Sequence, residues 1–135
     1  MTRRRTLLPA LALALAGLTL MSCGLGASED PQTARGRALF RELGCATCHR
    51  TEPAATLPAI GPSLWQVLGR VERFADGSSV TVDAAYLRES MVDPDARTVA
   101  GFERGVMSAG LGAARGRLTD PEVVDALVRF VMSLK

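Results

Sequence analysis

The sequence predicts a small, mainly α-helical domain carrying one short β-hairpin. Three observations predict it. Residues 119–134 open on a helix-start pattern and then place Val124, Leu127, Val128, Val131 and Leu134 on one helical stripe. Residues 33–43 carry Ala34, Ala38, Leu39, Phe40 and Leu43 at spacings of three to five, the mark of a first helix. Between them, residues 71–82 alternate on either side of Asp76-Gly77, which is a strand–turn–strand signal.

Taken in order, the chain begins with segments that do not read as fold. Arg3, Arg4 and Arg5 precede an almost unbroken apolar run from Leu7 to Met21. A basic start before an apolar stretch of this length reads as a secretory signal over 1–22, and it is shorter than the roughly 20 apolar residues of a membrane span. Leu20-Met21-Ser22-Cys23 resembles a bacterial lipobox, which predicts a lipid on Cys23. The alternative is an ordinary cut beside a spare thiol, a liability in an oxidising compartment. Residues 23–32 are small and polar and read as a flexible tether, leaving 33–135 as the folded domain.

Within that domain the first helix stops at Gly44. Residues 51–63 hold Pro53, Pro58, Pro62 and Gly61 and read as loop. Leu64 to Leu68 reads as a short helix ending at Gly69. After the hairpin, Asp83 caps a helix through Tyr86 and Leu87 to Met91, and Pro94 closes it. Residues 95–117 are rich in Gly and Ala without a period and read as a long loop, the kind that carries function or wraps something. Thr119-Asp120-Pro121-Glu122 is a capping box with proline where its missing N–H does no harm.

The whole chain of 135 residues carries a net charge of +2. Without residues 1–22 it loses three arginines, and 13 basic side chains then face 14 acidic ones, a net of −1. That excludes a nucleic-acid binder with a basic face, and it is too weak to steer partners globally. The remaining 113 residues are few for a self-sufficient core, and they hold only four Phe, one Trp and one Tyr. A large apolar cofactor would complete such a core.

Cys45-Ala46-Thr47-Cys48-His49 supplies the place for one. C-x-x-C-H reads as a c-type haem attachment site. Its two thiols bond to the haem vinyl groups as thioethers, and the adjacent imidazole binds iron. A thioredoxin-like dithiol is the first rival, but it accompanies a βαβ pattern that this chain lacks. A zinc site is the second, and it needs four ligands where this domain offers two cysteines and one histidine. His49 is the only histidine in the chain, so a second axial histidine is impossible within one copy. Methionine is the usual alternative and raises the potential. Met91, Met107 and Met132 are the candidates in the domain. Met132 reads as helix packing. Met107 is favoured because Gly101 to Gly110 forms a glycine-lined segment able to bring a thioether to the iron, and Met91 is the alternative.

These residues resemble those of class I c-type cytochromes, and most of all the cytochrome c domain fused to subunit II of bacterial haem–copper oxidases. Gly36-Arg37-Ala38-Leu39-Phe40 and Gly44 to His49 are similar to the family's first helix and haem site, and Gly61-Pro62-Ser63-Leu64 with Gly69-Arg70 to its next block. Asp76 to Asp83 and Tyr86-Leu87-Arg88-Glu89-Ser90 are similar to the oxidase-fused branch. The resemblance implies a class I cytochrome c fold: terminal helices crossing near Gly36, Phe40 and Phe130, haem c in the core, and the hairpin as an insertion. It implies that the Pro62 carbonyl accepts a hydrogen bond from the His49 ring. It further implies that Leu64, Tyr86 and Leu87 contact haem, and that Arg70 bonds a haem propionate. Trp65 reads as core or haem-edge packing. The chain departs from the pattern at Ser108, where the family has proline after the ligand methionine, and in the small residues 109–117, which implies a softer distal loop.

The expected function is that of an electron carrier and not an enzyme. It would hold one covalent haem c, work as a monomer on the outer face of the cytoplasmic membrane, and be anchored by lipid at Cys23. Its expected partners are a respiratory donor complex and a haem–copper oxidase. Two alternatives stay open: a gas- or peroxide-binding protein with a vacant sixth iron position, and a fixed subunit of a larger redox complex.

Overall fold

The computed structural model describes residues 29–53 and 59–135. The expected signal, Cys23 and most of the expected tether lie outside the described residues. Helix α1 spans Pro31–Glu42 and α4 spans Pro121–Met132. The two cross as the resemblance implies, and that crossing is the frame of the domain. Its tightest point is Gly36, where a Cβ would stand 1.9 Å from the Ala126 carbonyl oxygen and 2.8 Å from Phe130 Cβ. Only a glycine lets the backbones approach so closely. One turn on, the Phe40 and Phe130 rings meet edge to face at 5.3 Å between centroids, and Arg37 covers the other side of Phe130.

Helix α1 starts earlier than the pattern predicts. Asp30 caps it by accepting the Thr33 N–H at 3.0 Å, and Pro31 takes the first helical position. The last residues of the expected tether are therefore the cap and first turn. Helix α4 is capped by Asp120, which accepts the Glu122 N–H at 2.9 Å, whereas Thr119 bonds back to the Gly116 carbonyl. The expected capping box is thus displaced by one residue. Val123, Val124, Ala126, Leu127, Val128, Phe130 and Val131 of α4 are buried, and each large apolar side chain among them is worth about 2 kcal/mol of burial.

Strands β1 (Val71–Arg73) and β2 (Ser79–Thr81) pair antiparallel, with Glu72 opposite Val80. The turn closes by the Phe74 N–H to the Ser78 carbonyl, and Gly77 takes φ +86°. Helix α2 (Ala84–Val92) starts as expected, with Asp83 accepting the Tyr86 N–H at 2.8 Å.

Two expectations fail. Residues 64–69 form successive turns instead of a helix. Val67 and Arg70 donate only three residues back, and the Gly69 N–H leaves the segment to bond the Val82 carbonyl. Residues 95–117 are not one long loop. Residues 98–100 run beside the hairpin, through Ala75 N–H to Thr98 O and Ala100 N–H to Arg73 O. Helix α3 (Val106–Leu111) and a 3₁₀ segment (Gly112–Thr119) follow. Gly and Ala masked these elements because their order comes from packing, not from an apolar stripe. Among the described residues, no helix is long and apolar enough to cross a membrane.

Candidate functional site

A deep cleft opens between α1, the 59–64 loop, α2 and α3. One wall is built from the C-terminal end of α1. Gly44, at φ +76°, turns the chain into a 3₁₀ turn over Cys45–Thr47. Thr47 Oγ1 and the Thr47 N–H both bond the Gly44 carbonyl, and the His49 N–H bonds the Cys45 carbonyl at 3.0 Å. Cys45, Cys48 and His49 thereby share one turn, and all three line the cleft.

The 59–64 loop is pinned under that turn. The Gly61 N–H donates to the Cys48 carbonyl at 3.0 Å and the Leu64 N–H to the Arg50 carbonyl at 2.8 Å. This brings the Pro62 carbonyl to 2.8 Å from His49 Nδ1, the contact the resemblance implies. A carbonyl only accepts, so Nδ1 carries the proton and Nε2 keeps its lone pair. Gly61 has to be glycine, since a Cβ there would stand 2.7 Å from His49 Cε1. Burial lowers the His49 pKa below 6.5, partly offset by the Pro62 carbonyl, so the ring is neutral at pH 7 and ready to bind a metal.

Burial also pushes the Cys45 thiol up, with Cys48 adding to the shift. A reactive dithiol shows the opposite, a depressed thiolate. Both cysteines are free thiols, available for thioether bonds.

Two thioethers line the same cleft. Met91, near the end of α2, and Met107, in α3, both line the cleft. Met132, the last residue of α4, packs against the core and does not line the cleft. Helix α3 is bracketed by Gly105 at φ +85° and Gly112 at φ +45°. Asp95 ties it down, accepting the Gly105 N–H at 3.1 Å and the Ser108 hydroxyl. These bonds hold its carboxyl below the usual carboxylate range, the Ser108 hydroxyl contributing most.

Leu64, Val67, Leu87, Leu118 and Leu127 give the cleft an apolar floor. Tyr86 lines it too, buried against Phe74 at 5.7 Å between centroids. Arg97 lies over both rings and pairs with Glu89. Arg70 lines the cleft, but its guanidinium is already engaged. It donates to Glu72 at 2.7 Å, to the Ser63 carbonyl at 2.7 Å and to the Trp65 carbonyl at 3.4 Å. A propionate there would meet Glu72 as a competitor. Trp65 is half-buried and lines neither the cleft nor the central cluster.

Sequence reasoning missed Glu72, Asp95, Arg97 and Thr98 on these walls. Thr98 is informative. Its Oγ1 is, among the described residues, the one buried side-chain oxygen or nitrogen without a partner, and Thr98 lines the cleft. An orphaned buried hydroxyl is costly unless a ligand satisfies it. An apolar cleft with two thiols, a neutral imidazole, two thioethers and that hydroxyl fits a haem: apolar faces, vinyl anchors, iron ligands and an acidic edge.

The comparisons agree. A family model for cytochrome c matches residues 33–135. A comparison with curated proteins returned no match. Members of the matched family carry covalently attached haem c, typically one per domain, and transfer electrons without acting as enzymes. With the crossed helices and the Cys45–His49 turn in place, the chain belongs to the cytochrome c family.

Proposed function

We propose that this electron carrier is a class I cytochrome closest in kind to the oxidase-fused domain, held at a membrane surface and passing single electrons from a respiratory donor to a terminal haem–copper oxidase. The observation that supports it is one apolar cleft lined both by His49, locked by Pro62, and by Met107. Haem iron, when bound, supplies the one-electron couple. The chain's residues do the rest. Cys45 and Cys48 anchor the group covalently. His49 Nε2 and the Met107 thioether would hold the iron, and with both bound small ligands would be kept out. Leu64, Leu87 and Leu127 exclude water. Ile60, 60 % exposed at the rim of the cleft, gives a partner protein an apolar edge to dock on. Lipid on Cys23 would confine this traffic to two dimensions.

The purified, haem-loaded protein tests the reading. Its ferric spectrum should show a thioether-to-iron charge-transfer band that Met107→Ala removes. Its ferrous form should bind carbon monoxide slowly, and Met107→Ala should bind it fast. Fast binding by the unaltered protein would instead favour a gas- or peroxide-binding role. Cys23→Ser should release the protein from membranes, and unchanged membrane association would remove the anchor from the proposal.

A further inference from the structure

Helix α3 has six residues and no side-chain cap, so it has no stability of its own. It opens and closes on glycines with positive φ. Its position is therefore imposed from outside. Leu111 packs its C-terminal end on the core, and at its N-terminal end the side-chain hydrogen bonds among the described residues come from one carboxylate. Asp95 Oδ1 accepts the Gly105 N–H at 3.1 Å, and Oδ2 accepts the Ser108 hydroxyl. These two donors flank Val106 and Met107, so Asp95 grips the segment on both sides of the thioether.

Asp95 itself is well supported. Pro94 precedes it directly after α2. The Asp93 N–H bonds Glu89 O at 2.7 Å, closing α2, and the Ala96 N–H bonds Asp93 O at 3.1 Å. Three residues on, the Thr98 carbonyl accepts the Ala75 N–H, tying the strand-like segment to the hairpin. The carboxylate thus links the end of α2 and the hairpin to the start of α3, whose far end rests on the core through Leu111. Ser108 stands where the resembling pattern has a ring-stiffened proline, and its hydroxyl supplies a bond that proline could not.

We propose that Asp95 is the positioning residue for Met107: its carboxylate staples the Gly105–Ser108 turn to the α2 corner and so sets how firmly the thioether occupies the sixth iron position. This rests on Met107 being that ligand. Asp95 touches neither iron nor haem in this scheme. It acts through Ser108 and Gly105.

The experiment uses the haem-loaded protein and reads the thioether-to-iron band, the carbon monoxide binding rate of the ferrous form, and the reduction potential. Asp95→Ala removes both charge-assisted bonds and should raise the binding rate about tenfold or more, weaken the band and lower the potential. Ser108→Ala removes one bond and should raise the rate roughly threefold. Asp95→Asn keeps an amide oxygen and should retain most of the unaltered behaviour. Asp76→Ala, which removes a carboxylate–serine contact in the hairpin turn, should change none of the three readouts. Should Asp95→Ala fail to mature, Ser108→Ala decides the matter alone. Unaltered band and rate in Asp95→Ala, or in Ser108→Ala when it stands alone, overturn the staple while Met107→Ala still abolishes the band. If the unaltered protein lacks the band and Met107→Ala changes nothing, the ligand reading fails and takes the staple with it.

Discussion

The two walls of the cleft are held by different kinds of bond. On the His49 side the ties run through backbone: Gly61 to Cys48, Leu64 to Arg50, His49 to Cys45, and the Pro62 carbonyl to the ring. On the Met107 side, the bonds that fix the turn come from one side chain, Asp95. Backbone ties survive most substitutions, because every residue but proline brings the same groups. A side-chain tie is lost with one residue. The difference places the adjustable part of the site on the thioether side. On the proposed ligation, bond strength and potential there would respond to single changes, while the covalent and imidazole side would stay constant.

The strongest way to break that comparison is to move the frame beneath both walls. Helix α1 delivers Cys45, and α4 supplies Leu127 to the floor. Gly36→Ala puts a Cβ 1.9 Å from a backbone oxygen of α4, which cannot step aside as a side chain could. The expected cost is about 3 kcal/mol in denaturant unfolding, at the upper end for overpacking. Next comes Gly61→Ala, whose Cβ would stand 2.7 Å from His49 Cε1 and 3.0 Å from Nδ1. The ring must leave its bond to Pro62, so the expected cost is about 2 kcal/mol together with a clear drop in haem-loaded yield. A Gly61→Ala protein with native yield and spectrum would show that the His49 wall is softer than its backbone ties indicate.

Much of this was legible before the fold was known, and the reasons are physical. The α4 stripe and the Asp83 cap are local signals carried by consecutive residues, and both appear where expected. Cys45, Cys48 and His49 are adjacent, so spacing alone brought them together. The misses share a different cause. Gln66, at φ +49°, and Gly69, at φ +78°, break the apparent 64–68 helix, and the Gly69 N–H bonds the Val82 carbonyl beyond the hairpin instead of a carbonyl of its own turn. Helix α3 and the Asp95–Ser108 contact depend on partners up to 13 residues apart in a stretch with no period. Arg70 was readable as a cation, and it does line the cleft, but its engagement by Glu72, two residues on in β1, was not readable.

Met91 sharpens the contrast within the thioether wall. It lines the cleft as Met107 does, but it belongs to α2, a helix with a side-chain cap and a buried face. Met91→Leu conserves volume in a half-buried position, so less than about 1.5 kcal/mol should be lost in denaturant unfolding. The charge-transfer band should persist unchanged. Loss of the band in Met91→Leu, with retention in Met107→Ala, would exchange the two residues and move the adjustable contact onto a rigid helix.

The smallest effect belongs to the same chemistry in a local setting. Asp76 accepts both the Ser78 N–H, at 2.9 Å, and the Ser78 hydroxyl, at 2.7 Å, across two residues instead of 13. These bonds, the hydroxyl foremost, hold its carboxyl below 3.8 in the folded protein, with Arg97 adding a small push in the same direction. A carboxylate depressed by folding stabilises the fold above its unfolded pKa of about 4, and that gain is lost as pH falls through the folded value. The stability gap between the unaltered protein and Asp76→Asn should therefore be constant from neutral pH down to about 5 and close below about 4, in denaturant titrations run across that window. Because the contact is fully exposed and ties only its own turn, the gap should be small and the haem spectrum should not move with it. A gap that persists at low pH would mean that turn geometry, and not carboxylate charge, gives the Asp76–Ser78 contact its value.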